Sequence, residues 1–335
     1  MDKKYIDMAH EVVDRPDEEF IRINLMDLVR DEGDQIPLRL EAREIRKRVA
    51  GENLYVRGSL EYSNYCSNSC AFCGMARTNS ELVRYELSFD DVKEAVEQLL
   101  KYDVSQLHIV TGENWDIDID RICKIVKYAT SKGLETTLVL GELKEEEYAK
   151  MYEAGARRYI LKFETSNAEA YHLAKSGKNI YERIAALFLL REIGYKIGTG
   201  VISGLPGTTD YDLIKDLLVL KRISPDMASV SVFSPNEKSS YADQKPGDIE
   251  KTLNYVSLMR KNLLDTKIIT CSSSFGKNMQ IEALNAGANL LSYHITPTKY
   301  AKEFSMYTYE NRIMTQYNHI LTCAEKGKLN IARYI

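Results

Sequence analysis

The sequence predicts an α/β fold: a closed (βα)8 barrel of the TIM type with an N-terminal helical extension and a C-terminal helix. Two observations predict it. Strand-like and helix-like segments alternate without a break from Leu54 to about Tyr293, and counting from Leu54 gives eight strand–helix units. Such alternation calls for parallel strands joined by helices, and eight units favour closure over an open sheet. A six-unit partial barrel with a differently folded tail is the alternative. The length of 335 residues alone would suggest two domains, at about 150 residues each. No linker or low-complexity stretch interrupts the cycle. The expected division is therefore 1–50 as a helical cap, 51–305 as the barrel and 306–335 as a helix packed on it.

The elements follow from local patterns. Asp17–Asp31 and Leu38–Val49 space their apolar residues three or four apart, as helices do. Leu54–Ser63 reads as the first strand. Ser88–Lys101 is a helix because SFDD supplies an N-cap serine and early carboxylates. A strand at Gln106–Val110 precedes a helix near Ile117–Ser131, which Gly133 closes. Glu135–Leu140, Arg158–Phe163, Lys196–Ile202, Met227–Val232, Lys267–Ser272 and Asn289–Tyr293 read as the later strands. The helices between them fall at Glu145–Glu153, Ile180–Ile193, from about Asp210, at Asp248–Leu264 and at Asn278–Asn285. An amphipathic helix of about Tyr309–Lys326 comes last.

Composition excludes several classes of function. Lys plus Arg number 45 and Asp plus Glu 49, for a net charge of −4. That balance lacks the diffuse basic surface of a general nucleic-acid binder, though a local basic patch stays open. Apolar stretches such as Ile184–Leu190 are far too short to span a bilayer. The acidic start MDKKYIDMAHEVVDRPDEEF has no signal-peptide core. A cytoplasmic protein is expected, with no nucleic-acid or membrane partner.

The six cysteines are the informative residues. Cys123 and Cys323 stand alone and read as core, whereas Cys66, Cys70 and Cys73 crowd into SNYCSNSCAFCGM directly after the first strand. Disulfides are not expected in a cytosolic, core-rich chain. Three thiolates on one loop can hold three irons of a cubane cluster and leave the fourth iron open. The competing reading is a zinc site completed by a distant His or Cys. Barrel enzymes place their chemistry at the carboxyl ends of the strands, which is where this loop falls.

The spacing Cys-x3-Cys-x2-Cys, Phe72 before the last cysteine and the position after strand one resemble the radical S-adenosylmethionine (SAM) superfamily. The resemblance implies one 4Fe-4S cluster held by Cys66, Cys70 and Cys73, with SAM chelating the open iron. It implies reductive cleavage of SAM to methionine and a 5′-deoxyadenosyl radical. It further implies that Thr111, Gly112 and Glu113 bind the methionine amino group. Glu164 would contact the ribose or amino group, Arg183 the carboxylate, and Gly204 in GTGVISGLPG would give room for the adenine. Read from the residues alone, these are a loop with a solvated Glu, a surface Arg and a Gly-rich turn.

EYSNYCSNSCAFCGM, TGEN, TTLVLGEL, EAGARRYILKFETSN, GTGVISGLPGTT and LNAGANLLSYHITP resemble the group of biotin synthase, FeFe-hydrogenase maturase and methylornithine synthase. The similarity is greatest to the HydE-type maturase. It implies radical chemistry on a small substrate, a thiolate- or iron-bearing precursor, in metallocofactor assembly. A flavodoxin or ferredoxin reductant and another maturation protein are the implied partners. Departures are equally informative. The strands lack the extra cysteines that biotin synthase uses, and Lys162 and Val110 replace an arginine and a polar residue of the maturase. His108, Lys162, Cys271, Ser273 and Tyr293 are therefore the substrate candidates. Ile269, Cys271 and Ser273 share one strand face, and Cys271 and Ser273 line the cavity if that face points inward. His108 reads as a core histidine, a proton carrier or an iron ligand, Cys271 as core or contact. The rival functions are a biosynthetic radical reaction on a small metabolite, as in an amino-acid mutase or biotin- or lipoate-type bond formation, and a non-catalytic iron–sulfur scaffold.

Overall fold

A computed structural model describes residues 1–31, 33–271, 276–308 and 314–333. Its centre is a closed barrel of eight parallel strands. They are β1 (Asn53–Ser63), β2 (Gln106–Thr111), β3 (Glu135–Val139), β4 (Arg158–Ile160), β5 (Lys196–Ser203), β6 (Met227–Val232), β7 (Ile268–Cys271) and β8 (Leu290–His294). Each pairs with the next, and β1 closes the ring by pairing with both β2 and β8. The expected barrel is thus the observed one, and the partial barrel is not. A short ninth strand, β9 (Asn330–Ala332), adds to the start of β1.

Three helices precede the barrel: α1 (Lys3–Val13), α2 (Glu18–Leu28) and α3 (Ile36–Ala50). The ring itself carries α4 (Phe89–Lys101), α5 (Ile119–Ser131), α6 (Glu145–Glu153), α7 (Ala168–Ala174), α8 (Ile180–Ile193), α9 (Asp210–Ile223), α10 (Ile249–Asn262) and α11 (Gly276–Asn285). The short α12 (Thr298–Ala301) and α13 (Tyr317–Gly327) follow β8. Caps fix the boundaries as the sequence indicates. Ser88 and Asp91 form a reciprocal capping box at the start of α4, and Thr209 with Asp212 does the same for α9. The last helix starts at Tyr317, later than expected, and residues 309–313 of that expectation lie outside the described ones.

The N-terminal helices explain an odd feature of the sequence. In α8, every residue from Arg183 to Leu190 is buried, so the helix has no wet face. The barrel takes one side of such a helix, and α1 packs against it as well. In the same way α2 lies on α9 and α3 on α10. Polar contacts pin this layer: Lys4 pairs with Glu192 at 2.8 Å, and Asn254 donates to the Leu28 carbonyl at 3.1 Å.

The seam between β7 and β8 is the thinnest part of the described ladder, with Thr270 opposite Leu290. Side chains reinforce it. Asn289 accepts from Ile269 N–H and donates to the Lys267 carbonyl, both at 3.0 Å. Arg260, fully buried on α10, donates to the carbonyls of Gly287 and Thr266 at 3.0 Å and to Asn289 Oδ1 at 3.1 Å. Burial pushes its guanidinium down to about 9. Arg260→Met should strand these acceptors and lower unfolding stability by about 3 kcal/mol, on the scale of a lost buried hydrogen bond to a charged group. Urea denaturation followed by circular dichroism measures the loss, and a change below about 0.5 kcal/mol would contradict the staple.

Candidate functional site

β1 ends at Ser63, and the next residues form the cysteine loop. Two side chains hold it in shape. Asn64 donates to the carbonyls of Val83 and Glu303 and accepts from Tyr85 N–H at 2.8 Å. Arg84 donates to the carbonyls of Asn64, Met75 and Ala76 at 2.7–2.9 Å. A loop with no regular structure thereby satisfies its backbone groups. Cys70 is buried, and Cys66 and Cys73 are half-buried. Burial first, then the charge of Cys70, pushes the Cys73 thiol up. Among the described residues no three His, Cys, Asp or Glu converge on a point that a single ion would fill.

The loop after β2 lies directly on Cys66. A Cβ at Gly112 would stand 2.3 Å from the Tyr65 carbonyl and 2.8 Å from Cys66 Cβ, so only glycine fits. Thr111 is buried and donates to the Gly112 carbonyl at 2.6 Å. The Glu113 carbonyl accepts from Ser67 N–H at 2.8 Å. The Glu113 carboxylate is buried in a network of charges. It meets Arg183 at 2.8 Å, Lys175 at 3.1 Å, Lys178 at 3.6 Å and Asn68 at 2.9 Å. Arg183 and Lys178 also bind Glu142, at 3.0 and 2.7 Å. These cations hold the Glu113 carboxyl well below the usual range, with Arg183 the strongest, although burial alone would raise it. Gly141, at φ +86°, leaves room for Glu113, whose Cγ would lie 2.2 Å from a Cβ there.

Arg183 stands at the centre of this network. Its Nε donates to the Lys162 carbonyl at 2.8 Å, and both terminal nitrogens bind carboxylates. It thereby orients Glu113. Gly204 marks a close approach of two chain segments. A Cβ there would sit 2.6 Å from Gly247 Cα, so its φ of +75° serves a backbone crossing.

Inside the barrel is a cavity of about 260 Å³. Phe72 of the cysteine loop lines it, with His108, Lys162 and Glu164 from the candidate residues. Lys162 Nζ pairs with Glu164 Oε2 at 2.8 Å and lies 3.3 Å from Ser231 Oγ. Glu164 has φ +61°, a left-handed conformation that non-glycine residues rarely hold. Asp216 on α9 over-determines that turn by accepting from Ser166 N–H, Ser166 Oγ and Thr165 Oγ1 at 2.5, 2.6 and 3.4 Å. His108 and His294 both register with Ser59 of β1, one on each side. His294 Nδ1 accepts from Thr315 N–H at 3.0 Å, which leaves its proton on Nε2. His108 is buried and neither ring nitrogen has a partner among the described residues. Burial, then the nearby Arg57, holds it well below the usual imidazole range, so it is neutral.

One substrate candidate, Tyr293, does not line the cavity. Tyr293 points outward and stacks edge-on against Tyr102 and Tyr317 at 5.6 and 5.7 Å; its neighbour His294 takes the inward position. On β7 the cavity is lined by Thr270, and Ile269 joins the outer core, so the inward face is the even-numbered one. The Cys271 side chain and Ser273 lie outside the described residues. Sequence reasoning passed over Arg57 and Glu61, which line the cavity, and Glu142, Lys175 and Asp216 around it. Charged residues at alternate positions of the buried strand LYVRGSLEYS were the available signal for the first two.

A barrel with a three-cysteine loop over an internal cavity, its wall mostly apolar with a few charged and hydrogen-bonding groups, has the layout of a barrel enzyme's active site. Residues 60–220 match the family model described as the Radical SAM superfamily. The FeFe hydrogenase maturase subunit HydE of Thermotoga maritima is 34% identical over 268 residues, covering 79% of this chain and 77% of that protein. The 3-methylornithine synthase of Methanosarcina acetivorans is 27% identical over 254 residues, covering 75% and 72%. A crystal structure of methylornithine synthase has the same fold, with a TM-score of 0.83 at 22% identity over 97% of both chains. The chain belongs to the radical SAM superfamily, whose cofactors are a 4Fe-4S cluster and SAM, and it is an enzyme. No helix among the described residues is long and apolar enough to cross a membrane.

The buried turn under Glu164 gives a pH test. Burial pushes the Asp216 carboxyl up from 3.8 to about 7, although its hydrogen bonds from Ser166 oppose this. A raised native pKa adds stability below the unfolded value and loses it as pH rises through the native one. The wild type should therefore lose stability between about pH 4 and about pH 7 relative to Asp216→Asn. Denaturation midpoints of both proteins across that range give the result; parallel pH curves would refute it.

Proposed function

We propose that this enzyme performs radical chemistry on a small precursor enclosed in the barrel, in the assembly of a metallocofactor. The observation that carries the reading is the cavity, which has Phe72 of the cysteine loop in its wall and hydrogen-bonding groups below. The 34% identity to a hydrogenase maturase supports the choice of a metallocofactor precursor. Cys66, Cys70 and Cys73 are the residues that would hold the cluster. When bound, the cluster and SAM supply a one-electron reductive cleavage that yields methionine and a 5′-deoxyadenosyl radical.

The residues of this chain position and shield. Thr111, Gly112 and Glu113 bring acceptor carbonyls to the edge of the cysteine loop, where the methionine ammonium needs acceptors. Arg183 fixes Glu113. Glu164, held in its strained turn, presents a carboxylate to the cavity beside Phe72. Below it Lys162, His108 and His294 face the substrate. His108 offers a neutral nitrogen, able to accept, donate or meet a metal. The surrounding barrel excludes water, which would otherwise admit side reactions. The structure offers the reductant and any further maturation protein no described contact, and a flavodoxin or ferredoxin remains the proposed donor.

Anaerobic reconstitution tests the reading. About four irons per chain are expected from one cubane, together with release of 5′-deoxyadenosine under reduction. Cys66→Ala, Cys70→Ala and Cys73→Ala should each abolish the cluster spectrum, and retention in all three would overturn the ligand assignment. Mass spectrometry of deuterium transfer from candidate thiolate or iron-bearing precursors into 5′-deoxyadenosine identifies the substrate. His108→Leu should leave the cluster intact yet weaken substrate-dependent turnover at least tenfold, the scale of one lost buried polar contact at about 1.4 kcal/mol. An unchanged rate would remove His108 from the pocket's recognition groups.

A further inference from the structure

The turn between α7 and α8 does more than connect helices. It is stitched to the cysteine loop on both sides of Cys70. Ala71 N–H donates to the Ala174 carbonyl at 2.8 Å, and the Ser176 hydroxyl donates to the Ser69 carbonyl. Lys175, between those two residues, is therefore set opposite Cys70. Two successive left-handed residues, Ser176 at φ +54° and Gly177 at φ +86°, turn the chain away immediately afterwards. Ser176 carries a side chain in that conformation, and its bond to Ser69 holds it there.

The Lys175 side chain runs inward. The residue is 3% exposed, and its ammonium lies 3.1 Å from Glu113 Oε1. Glu113 does not cancel it. Two carboxylates, Glu113 and Glu142, face three cations, Lys175, Lys178 and Arg183, so this network carries one surplus positive charge. A buried charge is poorly screened by salt and solvent. The potential of an iron–sulfur cluster follows net charge, burial and hydrogen bonding around it.

We propose that Lys175 is a redox-tuning residue whose buried ammonium stabilises the reduced cluster and raises its midpoint potential. This rests on the proposed ligation by Cys66, Cys70 and Cys73. Reduction takes one electron from an external donor and adds one negative charge to the cluster, with no bond made or broken. A fixed cation opposite a cluster thiolate favours that added charge.

The test is a redox titration of the reconstituted holoprotein without SAM, with dithionite as reductant and electron paramagnetic resonance as readout. Lys175→Met keeps the apolar stem and removes the charge; it should shift the midpoint to lower potential with the iron count unchanged. Lys175→Arg keeps the charge and should restore the wild-type value. An unchanged midpoint in the methionine variant, or equal shifts in both variants, overturns the proposal. If the methionine variant takes up no cluster, Glu113→Gln carries the same test with the opposite sign. It removes a negative charge and should raise the midpoint, and an unchanged or lowered value is again an overturning result. Wild-type protein that binds no cluster would instead defeat the ligation on which the proposal rests.

Discussion

The site depends on one buried ion network. Glu113 opens the loop after β2, Glu142 follows β3, and Arg183 sits on α8. Their mutual bonds tie three neighbouring parts of the ring together beneath the cysteine loop. Taking such charges out of water is expensive, and only good geometry with every lone pair engaged compensates. The geometry here meets that demand. Arg183 uses all its donor edges, and Glu113 meets Arg183, Lys175, Lys178 and Asn68. Loss of any member leaves a buried partner uncompensated. The loop that carries the cysteines therefore inherits its position from residues more than a hundred positions away in sequence.

The cavity shows the opposite use of polarity. Charge inside a barrel is normally avoided in favour of layers of branched apolar side chains. That layer exists at the bottom, where Tyr55, Ile160, Met227, Ile268 and Leu290 pack together. Above it, β1 turns in Arg57, Ser59 and Glu61, and β6 turns in Ser229 and Ser231. Glycine takes part as well: a Cβ at Gly200 would collide with Ser229 at 2.1 Å. Apolar floor and polar wall divide the barrel into a part that stabilises and a part that recognises.

The fold was legible in the sequence because the strand–helix alternation repeats eight times without a break. The strands Met227–Val232 and the helices Glu145–Glu153 and Ile180–Ile193 fall where they were expected. The misses have a common physical cause. Alternation fixes which residues share a face but not which face looks inward, unless one face is distinctly polar. On β7, Ile268 and Ile269 are equally apolar, so the sequence left the phase of the strand open. On β8, Tyr293 and His294 pose the same ambiguity. The helix α1 falls inside the expected helical cap of residues 1–50, though its bounds were not drawn, and β9 was missed because three residues carry no period.

Site residues were legible to the extent that their chemistry is local. Three cysteines on one loop announce themselves, but Lys175 does not. Its role depends on hydrogen bonds at Ser69 and Ala71, more than a hundred residues upstream, and nothing in AKSGKN marks it as buried. Likewise Asp216 looks like one more acid on an amphipathic helix until the left-handed turn at Glu164 is seen above it. Asp216 holds other residues still, whereas Lys175 is itself held in place. A backbone in a sparsely populated conformation persists only where its surroundings insist on it, and here those surroundings come from α9. The strained Glu164 and the stitched turn at Lys175 thus flank the cysteine loop from two sides, and each is fixed by contacts that the fold, not the local sequence, brings together.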